Sequence, residues 1–367
     1  MAGLERASYT AHDDMLRVRR RACAVGFRGA MGALAALLAL SLTVACQAAR
    51  AAGETLALVK SRGALHCGVA DDSVGFATKD ASGRWSGLDV DFCRAVAAAI
   101  FGDANKVKFV PLRASERFPA LQARSIDLLV RQTTWTLLRE GNLKVLFAGV
   151  LFYDDQGFLV PANSRAKTPA QLKGSVVCVV KGTTSGQNLA DYSRANSLDF
   201  KALVGDTMGA AVEDLSAGRC SALTSDASQL AAVRLRLPNG QRAYTVLPER
   251  IAKEPLGPVV RAGDDDWFTL VRWVLFVLTG AEEAGLTREN VSSLASDPRA
   301  QQIFGRGEHF GQALGVDDDW VLWVVRSVGN YGEIFERNLG RNSPLKMDRG
   351  PNKPWSQGGL LYTPPFR

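Results

Sequence analysis

Apolar residues recur in short continuous runs that alternate with longer helical repeats. Three runs indicate buried strands: "ALHCGVA" (64–70), "KVKFVPL" (106–112) and "SIDLLVR" (125–131). Two stretches between them have helical spacing: "LDVDFCRAVAAAIFG" (88–102) and "SERFPALQAR" (115–124). Gly102 is a plausible stop for the first helix, and Ser115 is expected to cap the second. This alternation predicts a parallel α/β sheet.

The same order of strands and helices then repeats. The predicted strands are 174–180, 199–205 and 219–226, and the helices follow "KGTTSG" (181–186) and lie in 207–218. Two extended segments, 147–163 and 246–264, flank this unit and are expected to cross between two lobes. We therefore predict two α/β lobes: 53–154 and 253–367 form lobe one, with a helical C-terminal extension, and 155–252 form lobe two.

The first 52 residues differ in character from the rest. Arginines at 17–28 precede an uncharged run from Gly29 to Ala45, and an A-x-A-like site follows at 49–51. The run is short for a membrane span, which needs about 20 apolar residues. We interpret residues 1–52 as a signal peptide for export to the periplasm. A retained N-terminal anchor, or a lipoprotein attached through Cys46, remains an alternative.

The net charge of +7 depends strongly on this leader. Without residues 1–51 the chain keeps 37 basic and 34 acidic residues, so the net charge falls to +3. No run of Lys and Arg and no basic-aromatic stripe marks a groove for phosphates. We therefore expect no nucleic-acid partner.

Four cysteines lie beyond the leader, and they allow three disulfide connectivities. We favour Cys67 with Cys93 and Cys178 with Cys220, because each pair falls inside one predicted lobe. Four reduced core cysteines are the alternative for a cytosolic protein. None of the four has the C-x-x-C spacing of a metal or redox site.

Most catalytic signatures are missing from the chain. Beyond the leader only His66 and His309 remain, which leaves little for a histidine-based triad or metal site. Neither a G-x-S-x-G elbow nor a G-x-x-x-x-G-K-[ST] loop is present. We expect a protein without enzymatic activity, metal or cofactor.

Polar groups instead follow the predicted strands: Arg139 in "RQTTWTLLRE", Thr183 and Thr184 in "KGTTSG", and Asp226 in "RCSALTSD". A guanidinium can hold a carboxylate bidentately, hydroxyls at a helix start suit an anion, and an acid balances an ammonium. Each has an ordinary structural alternative: a surface ion pair of Arg139 with Glu140, a threonine helix cap, and an aspartate turn or cap.

The chain resembles family 3 of the solute-binding proteins of ABC importers, in its general L-amino-acid-binding branch. The resemblance spans 54–367 and rests on several blocks: "GLDVDFCRAVAAAI", "RFPALQARSIDLLV", "TTWTLLRE", "FAGVLFYDDQGFLV", "KGTTSGQNLADY", "KEPLGPVVRAGDDDWF" and "VGNYGEIFERNLG". It implies a type II periplasmic binding fold, in which two α/β lobes joined by two strands close on one amino acid.

The resemblance also implies roles for individual residues. Arg139, with Thr134 and Gln132, would hold the solute α-carboxylate; Thr184 would contact it from lobe two, and Asp226 would take the α-ammonium. Arg117 matches a side-chain contact of acidic-amino-acid binders, and its alternative is a solvated helix position.

Some positions depart from the family pattern. Gln132 stands where relatives have Asn, and Leu138 stands where they have Ser. Asp71 and Asp72 replace a neutral loop, where they either enter the side-chain pocket or only cap the loop.

The resemblance implies a monomeric receptor that delivers L-amino acids to the membrane subunits of an ABC permease. Two alternatives use the same fold. One is a dehydratase of cyclic carboxylic acids with Asp226 or Glu140 as acid or base, and the other is a receptor that presents its ligand to a chemosensory partner.

Overall fold

The chain folds around two β-sheets in the computed structural model, which describes residues 53–70, 72–237, 239–294, 297–298, 301, 303, 305 and 308–366. The predicted signal peptide, with Cys46, lies outside these residues. We call the part built on the first sheet lobe one and the part built on the second sheet lobe two.

The lobe-one sheet has five strands: β1 (Leu65–Val69), β5 (Val107–Pro111), β6 (Leu128–Leu129), β7 (Val145–Phe147) and β14 (Val259–Arg261). Their spatial order is β5-β1-β6-β14-β7. Strands β5, β1 and β6 are parallel, as predicted, but β14 runs antiparallel to both of its neighbours. The sheet is therefore mixed, because β14 belongs to the segment that returns from lobe two.

Helices cover this sheet: α1 (Glu54–Arg62), α2 (Leu88–Phe101), α3 (Arg117–Gln122), α4 (Leu137–Leu143) and α9 (Asp265–Glu283). The alanines of α2 are buried almost without exception, and their small side chains let the helix pack closely. Gly102 ends α2 in the left-handed conformation, with φ of 67°, as predicted. The expected Ser115 cap is wrong: Glu116 precedes α3, and no side chain caps that helix.

Three short antiparallel strands form a small flap on lobe one: β2 (Asp72–Ser73), β3 (Ala77–Lys79) and β4 (Trp85–Ser86).

The lobe-two sheet is built from β8 (Phe152–Pro161), β9 (Val176–Val180), β10 (Lys201–Gly205), β11 (Ala222–Asp226), β12 (Tyr244–Val246) and β13 (Ala252–Leu256). The order is β10-β9-β11-β8-β12, and β13 also pairs with β8. Its helices are α5 (Ser185–Asn196), α6 (Met208–Ser216), α7 (Ala227–Arg236) and α8 (Gly240–Ala243). Strands β9, β10 and β11 are parallel, as the repeated pattern predicted.

Two long strands connect the lobes. β8 and β13 pair antiparallel from Phe152 opposite Leu256 to Gln156 opposite Ala252. Both lie in the segments predicted to cross between the lobes. The predicted limits at 154–155 and 252–253 fall inside this ribbon and stay a prediction.

The C-terminal part packs on lobe one through α10 (Phe310–Ala313), α11 (Trp320–Val328) and α12 (Tyr331–Asn338). Trp320 and Tyr331 are fully buried in the same core as α2. The Tyr331 hydroxyl donates to the Leu151 carbonyl at 2.8 Å, and Asn352 exchanges two hydrogen bonds with the Tyr153 backbone. The extension therefore completes the lobe-one core and braces the start of β8.

Both expected disulfides are confirmed, Cys67–Cys93 in lobe one and Cys178–Cys220 in lobe two. The first disulfide links β1 to α2, and the second links β9 to the residues just before β11. Among the described helices, none combines the length and apolarity that a membrane span requires.

Candidate functional site

The strand ends of both lobes meet at the β8–β13 ribbon, and polar groups gather there. Thr134 follows β6 and forms an isolated antiparallel bridge with Leu256. From lobe two, Thr184 precedes α5, and Asp226 is the last residue of β11. Ligand groups of open α/β sheets typically lie at the carboxyl ends of strands, so this arrangement is typical of a binding cleft.

Glu254 lies at the centre of the cluster, and sequence reasoning missed it. The residue is completely buried. The Thr184 hydroxyl donates to its two oxygens at 2.9 and 3.0 Å, the Thr134 hydroxyl donates to Oε2, and Asn188 Nδ2 donates at 2.8 Å. One signal was available: an acid within an extended segment predicted to pass between the lobes.

Arg139 is half-buried beside this cluster. Its Nη1 donates to the Thr134 carbonyl at 2.7 Å, and its guanidinium lies 5.5 Å from the centre of the Phe118 ring. Burial lowers the pKa of Arg139, while Glu254 and Asp226 act in the opposite direction. The alternative of a surface ion pair with Glu140 is wrong.

Glu140 points its carboxylate elsewhere, since it accepts hydrogen bonds from the Trp135 indole at 3.0 Å and from the Phe147 amide.

Arg117 is 2% exposed, so the alternative of a solvated helix position is wrong. Its Nη2 donates across the cleft to the Gly182 carbonyl at 3.0 Å, and Nη1 donates to the Arg131 carbonyl at 3.4 Å. Burial, followed by repulsion from Arg139 and Arg131, lowers the Arg117 pKa well below its usual value. Its Nε is buried without an acceptor, which leaves one charged donor unused.

Asp226 is buried and occupies the N-cap position of α7, as its structural alternative predicted, but its side chain makes no capping hydrogen bond. Burial raises its pKa well above the usual value, and the negative charges of Glu254 and Asp154 add to this. Arg117 and Arg139 oppose the shift. The site therefore brings two arginines and several acids together, and most of these side chains are buried.

Thr184 also occupies a helix N-cap position without capping the helix, because its hydroxyl is directed to Glu254. The neighbouring Thr183 hydroxyl instead accepts from the Ser185 amide at 3.3 Å and donates to the Val180 carbonyl at 2.7 Å. Thr183 therefore makes the local hydrogen bonds at the start of the helix, and Thr184 is the threonine that faces the polar cluster.

Gln132 adopts a left-handed backbone conformation, with φ of 42°. Its backbone N–H donates to Asp89 Oδ2 at 3.2 Å. Burial raises the pKa of Asp89 to about 7. Its side-chain oxygen accepts from Ser73 in lobe one and from Gln229 in lobe two at 3.2 Å. Its Nε2 is buried without a partner. Gln132 therefore links the two lobes and keeps one free donor.

An inter-lobe pocket of about 350 Å³ opens next to Gln132. Lobe one lines it with Ser73 and Arg131, among others, and lobe two lines it with Thr183, Met208 and other side chains. Of the three residues predicted to hold the carboxylate, Gln132 lines this pocket, whereas Arg139 and Thr134 do not. Thr134 donates to Glu254 instead.

Asp72 lies at the edge of this pocket, where its carboxylate is 3.7 Å from Nη1 of Arg236 in lobe two. This neighbour partly neutralises the acid that the sequence suggested for the pocket.

Leu138, the other departure from the family pattern, is 70% exposed on α4, and Asp71 lies outside the described residues. Across the described ranges, no group of His, Cys, Asp and Glu is arranged to hold a metal ion.

Known proteins are similar to this chain in sequence and fold. The chain is 46% identical over 337 residues to the general L-amino acid-binding periplasmic protein AapJ of Rhizobium johnstonii, covering 91% of this chain and 98% of AapJ. It is 45% identical, with the same coverage, to the putative amino-acid ABC transporter-binding protein YhdW of Escherichia coli K12.

A solved structure, the periplasmic binding protein of a Brucella ovis ABC transporter with glutathione bound, superposes with a TM-score of 0.82. It is 46% identical and covers 85% of this chain and 99% of its own. The profile of one family matches residues 65–285. The chain belongs to the bacterial extracellular solute-binding proteins, family 3.

Proposed function

We propose that the protein is a periplasmic receptor that binds L-amino acids between its lobes and delivers them to an ABC-type permease. The observation that carries this proposal is the inter-lobe cluster around Glu254, in which buried Arg117, half-buried Arg139 and buried Asp226 come together. An amino acid is a zwitterion, so it needs a cation for its carboxylate and an acid for its ammonium. Names of the relatives, which describe amino-acid binding and ABC transport, support the same conclusion.

The roles follow from charge and position. Arg139 is the carboxylate clamp, since its guanidinium lies within the electrostatic reach of Glu254 and Asp226 and forms no ion pair with a carboxylate among the described residues. Asp226 takes the ammonium, because the incoming positive charge offsets the cost of ionising a buried acid. Closure removes water from both pairs and strengthens them. The solute side chain then lies toward Arg117 and Gln132, whose free donors favour side chains with acceptor oxygens.

Calorimetric titration against the twenty amino acids tests the proposal. We expect at least one to bind at sub-millimolar concentration, and no binding in that range would refute the receptor function. Arg139→Ala should weaken binding by roughly 3 kcal/mol, or about 100-fold, because the partner of a buried carboxylate is removed.

Arg194→Ala is the control for this variant. That arginine is exposed on lobe two and pairs with Asp191 on its own helix. An unchanged dissociation constant in Arg139→Ala would mean that the clamp lies elsewhere.

A second candidate ligand is a larger solute with an amino-acid end, such as the glutathione of the Brucella ovis relative. The inter-lobe pocket favours it, because its volume of about 350 Å³ is sufficient for a small molecule and it adjoins the cluster at Gln132. Gly209→Leu should fill the pocket, since a Cβ there meets nothing closer than the Thr207 hydroxyl at 3.7 Å. We expect it to weaken glutathione binding and spare L-glutamate, whereas equal effects on both would exclude this use of the pocket.

A further inference from the structure

The hydroxyl hydrogens of Thr134 and Thr184 are already engaged by the protein itself. Both threonines donate to Glu254, and their oxygens lie 3.4 Å apart. A hydroxyl has one hydrogen, and an ionised carboxylate can only accept. While Glu254 is ionised, both threonines therefore present only lone pairs to the cleft.

This arrangement conflicts with binding of a carboxylate. The proposed receptor function requires these two hydroxyls to donate to the solute, but lone pairs facing a carboxylate repel it. If a threonine turned its hydrogen to the solute, the buried Glu254 carboxylate would lose a donor, which is costly for a charged group. A neutral Glu254 removes the conflict, because its own O–H donates to a threonine oxygen and that threonine's hydrogen turns to the solute.

The surroundings of Glu254 suit such a change. Arg139 and Arg117 approach it from lobe one, while Asp226 on β11 and Asp154, opposite Glu254 in the β8–β13 register, add negative charge. The next pair along the ribbon, Lys253 with Asp155, faces the opposite side of the strands.

Burial raises the pKa of Glu254, and its threonine bonds and the two arginines counteract this. A solute carboxylate held by Arg139 would add a negative charge and engage the cation that favours ionised Glu254. Binding should therefore shift Glu254 further toward its neutral form.

We propose that Glu254 is a positioning residue that takes up one proton from solvent when an amino acid binds, so that its O–H donates to Thr134 or Thr184 and the hydroxyl of that threonine turns to the solute carboxylate. The inference rests on the proposed receptor function. No covalent bond other than O–H changes, and the proton returns to solvent when the solute leaves.

The test is calorimetric titration of the full chain with L-glutamine, or with the neutral amino acid that binds best, in phosphate and in Tris from about pH 6 to about pH 8. Such solutes have no side chain that titrates in this range. Ionisation of Asp226 by the solute ammonium would release a proton in every variant that keeps Asp226, so the Glu254 proton is measured by difference. We expect the unmodified protein to take up about one proton more on binding than Glu254→Gln does, measured from the dependence of the binding enthalpy on the buffer. Its affinity should also fall more steeply with rising pH than that of Glu254→Gln, by at most about tenfold per pH unit.

Glu254→Gln should lose this one proton and retain binding, because an amide also donates to a threonine. Asp154→Asn is the control for the neighbouring acid. Its proton uptake on binding should equal that of the unmodified protein. Equal proton uptake by the unmodified protein and Glu254→Gln would overturn the inference alone. Absence of binding to every amino acid would overturn the receptor function as well.

Discussion

Gly182 offers a direct test of whether closure of the lobes supports binding. It lies in the "KGTTSG" loop with φ of 79°, and a Cβ at this position would lie 2.8 Å from both Cα and N of Ser115 in lobe one. Gly174 is a matched control in the same lobe, because its φ is 74° and a Cβ there would meet nothing within 4 Å. Alanine at either site adopts the same unfavourable backbone conformation, but only Gly182→Ala collides with the other lobe.

The two costs can be separated. A left-handed alanine costs about 1 to 2 kcal/mol, so both variants should lose similar thermal stability. The collision at 182 is with backbone atoms, which cannot rotate away, so the lobes must separate. Separation breaks the 3.0 Å hydrogen bond from Arg117 to the Gly182 carbonyl. A hydrogen bond to a charged group contributes roughly 1.5 to 3 kcal/mol, so affinity should fall roughly 10- to 100-fold.

Calorimetric titration gives the dissociation constants, and small-angle X-ray scattering measures whether the radius of gyration falls when the solute is added. We expect Gly174→Ala to bind and contract like the unmodified protein, and Gly182→Ala to bind weakly and remain expanded. Equal affinities for the two alanine variants would refute the reasoning, because contact at Gly182 would then play no part in the bound state.

Three further perturbations have defined outcomes. Asp89 is neutral in the folded protein up to its pKa of about 7 but ionises near 3.8 when unfolded, so its contribution to stability is lost as pH rises between those values. Asp89→Asn should keep an acceptor for the Gln132 amide and raise the free energy of unfolding at about pH 8 by up to about 4 kcal/mol; denaturant titration showing no gain would contradict this. Replacing Cys178 and Cys220 with Ser should lower stability by about 4 kcal/mol, because the loop closed over a separation of 42 residues gains freedom when unfolded, and an unchanged melting temperature would argue against it. Asp226→Asn should raise the melting temperature at neutral pH by removing a buried acid while it weakens amino-acid binding more than tenfold, and tight binding in this variant would exclude the ammonium role.

The structure gathers most of the predicted site residues, but their roles as ligand contacts stay a prediction. Arg139, Thr134, Thr184 and Asp226 were identified from their positions after predicted strands and from the family resemblance. Sequence position is enough to place such residues near one another, because parallel strands bring their carboxyl ends to one edge of a sheet. The role of Glu254 was not predicted, because its partner Thr134 is 120 residues away and local sequence does not indicate that the two meet.

The sequence by itself predicted the main strands and helices, their two-lobed order, and the disulfide pairs that it favoured among three connectivities. Apolar periodicity and helix-ending glycines act over a few residues, so they are readable without coordinates. Only the tertiary structure decided that Arg117 is buried against Gly182, that Asp72 approaches Arg236, and that Glu254 engages the hydroxyls expected to meet the solute. Burial and hydrogen-bond direction depend on groups brought together from distant parts of the chain, and these set the charge and donor pattern of the cleft.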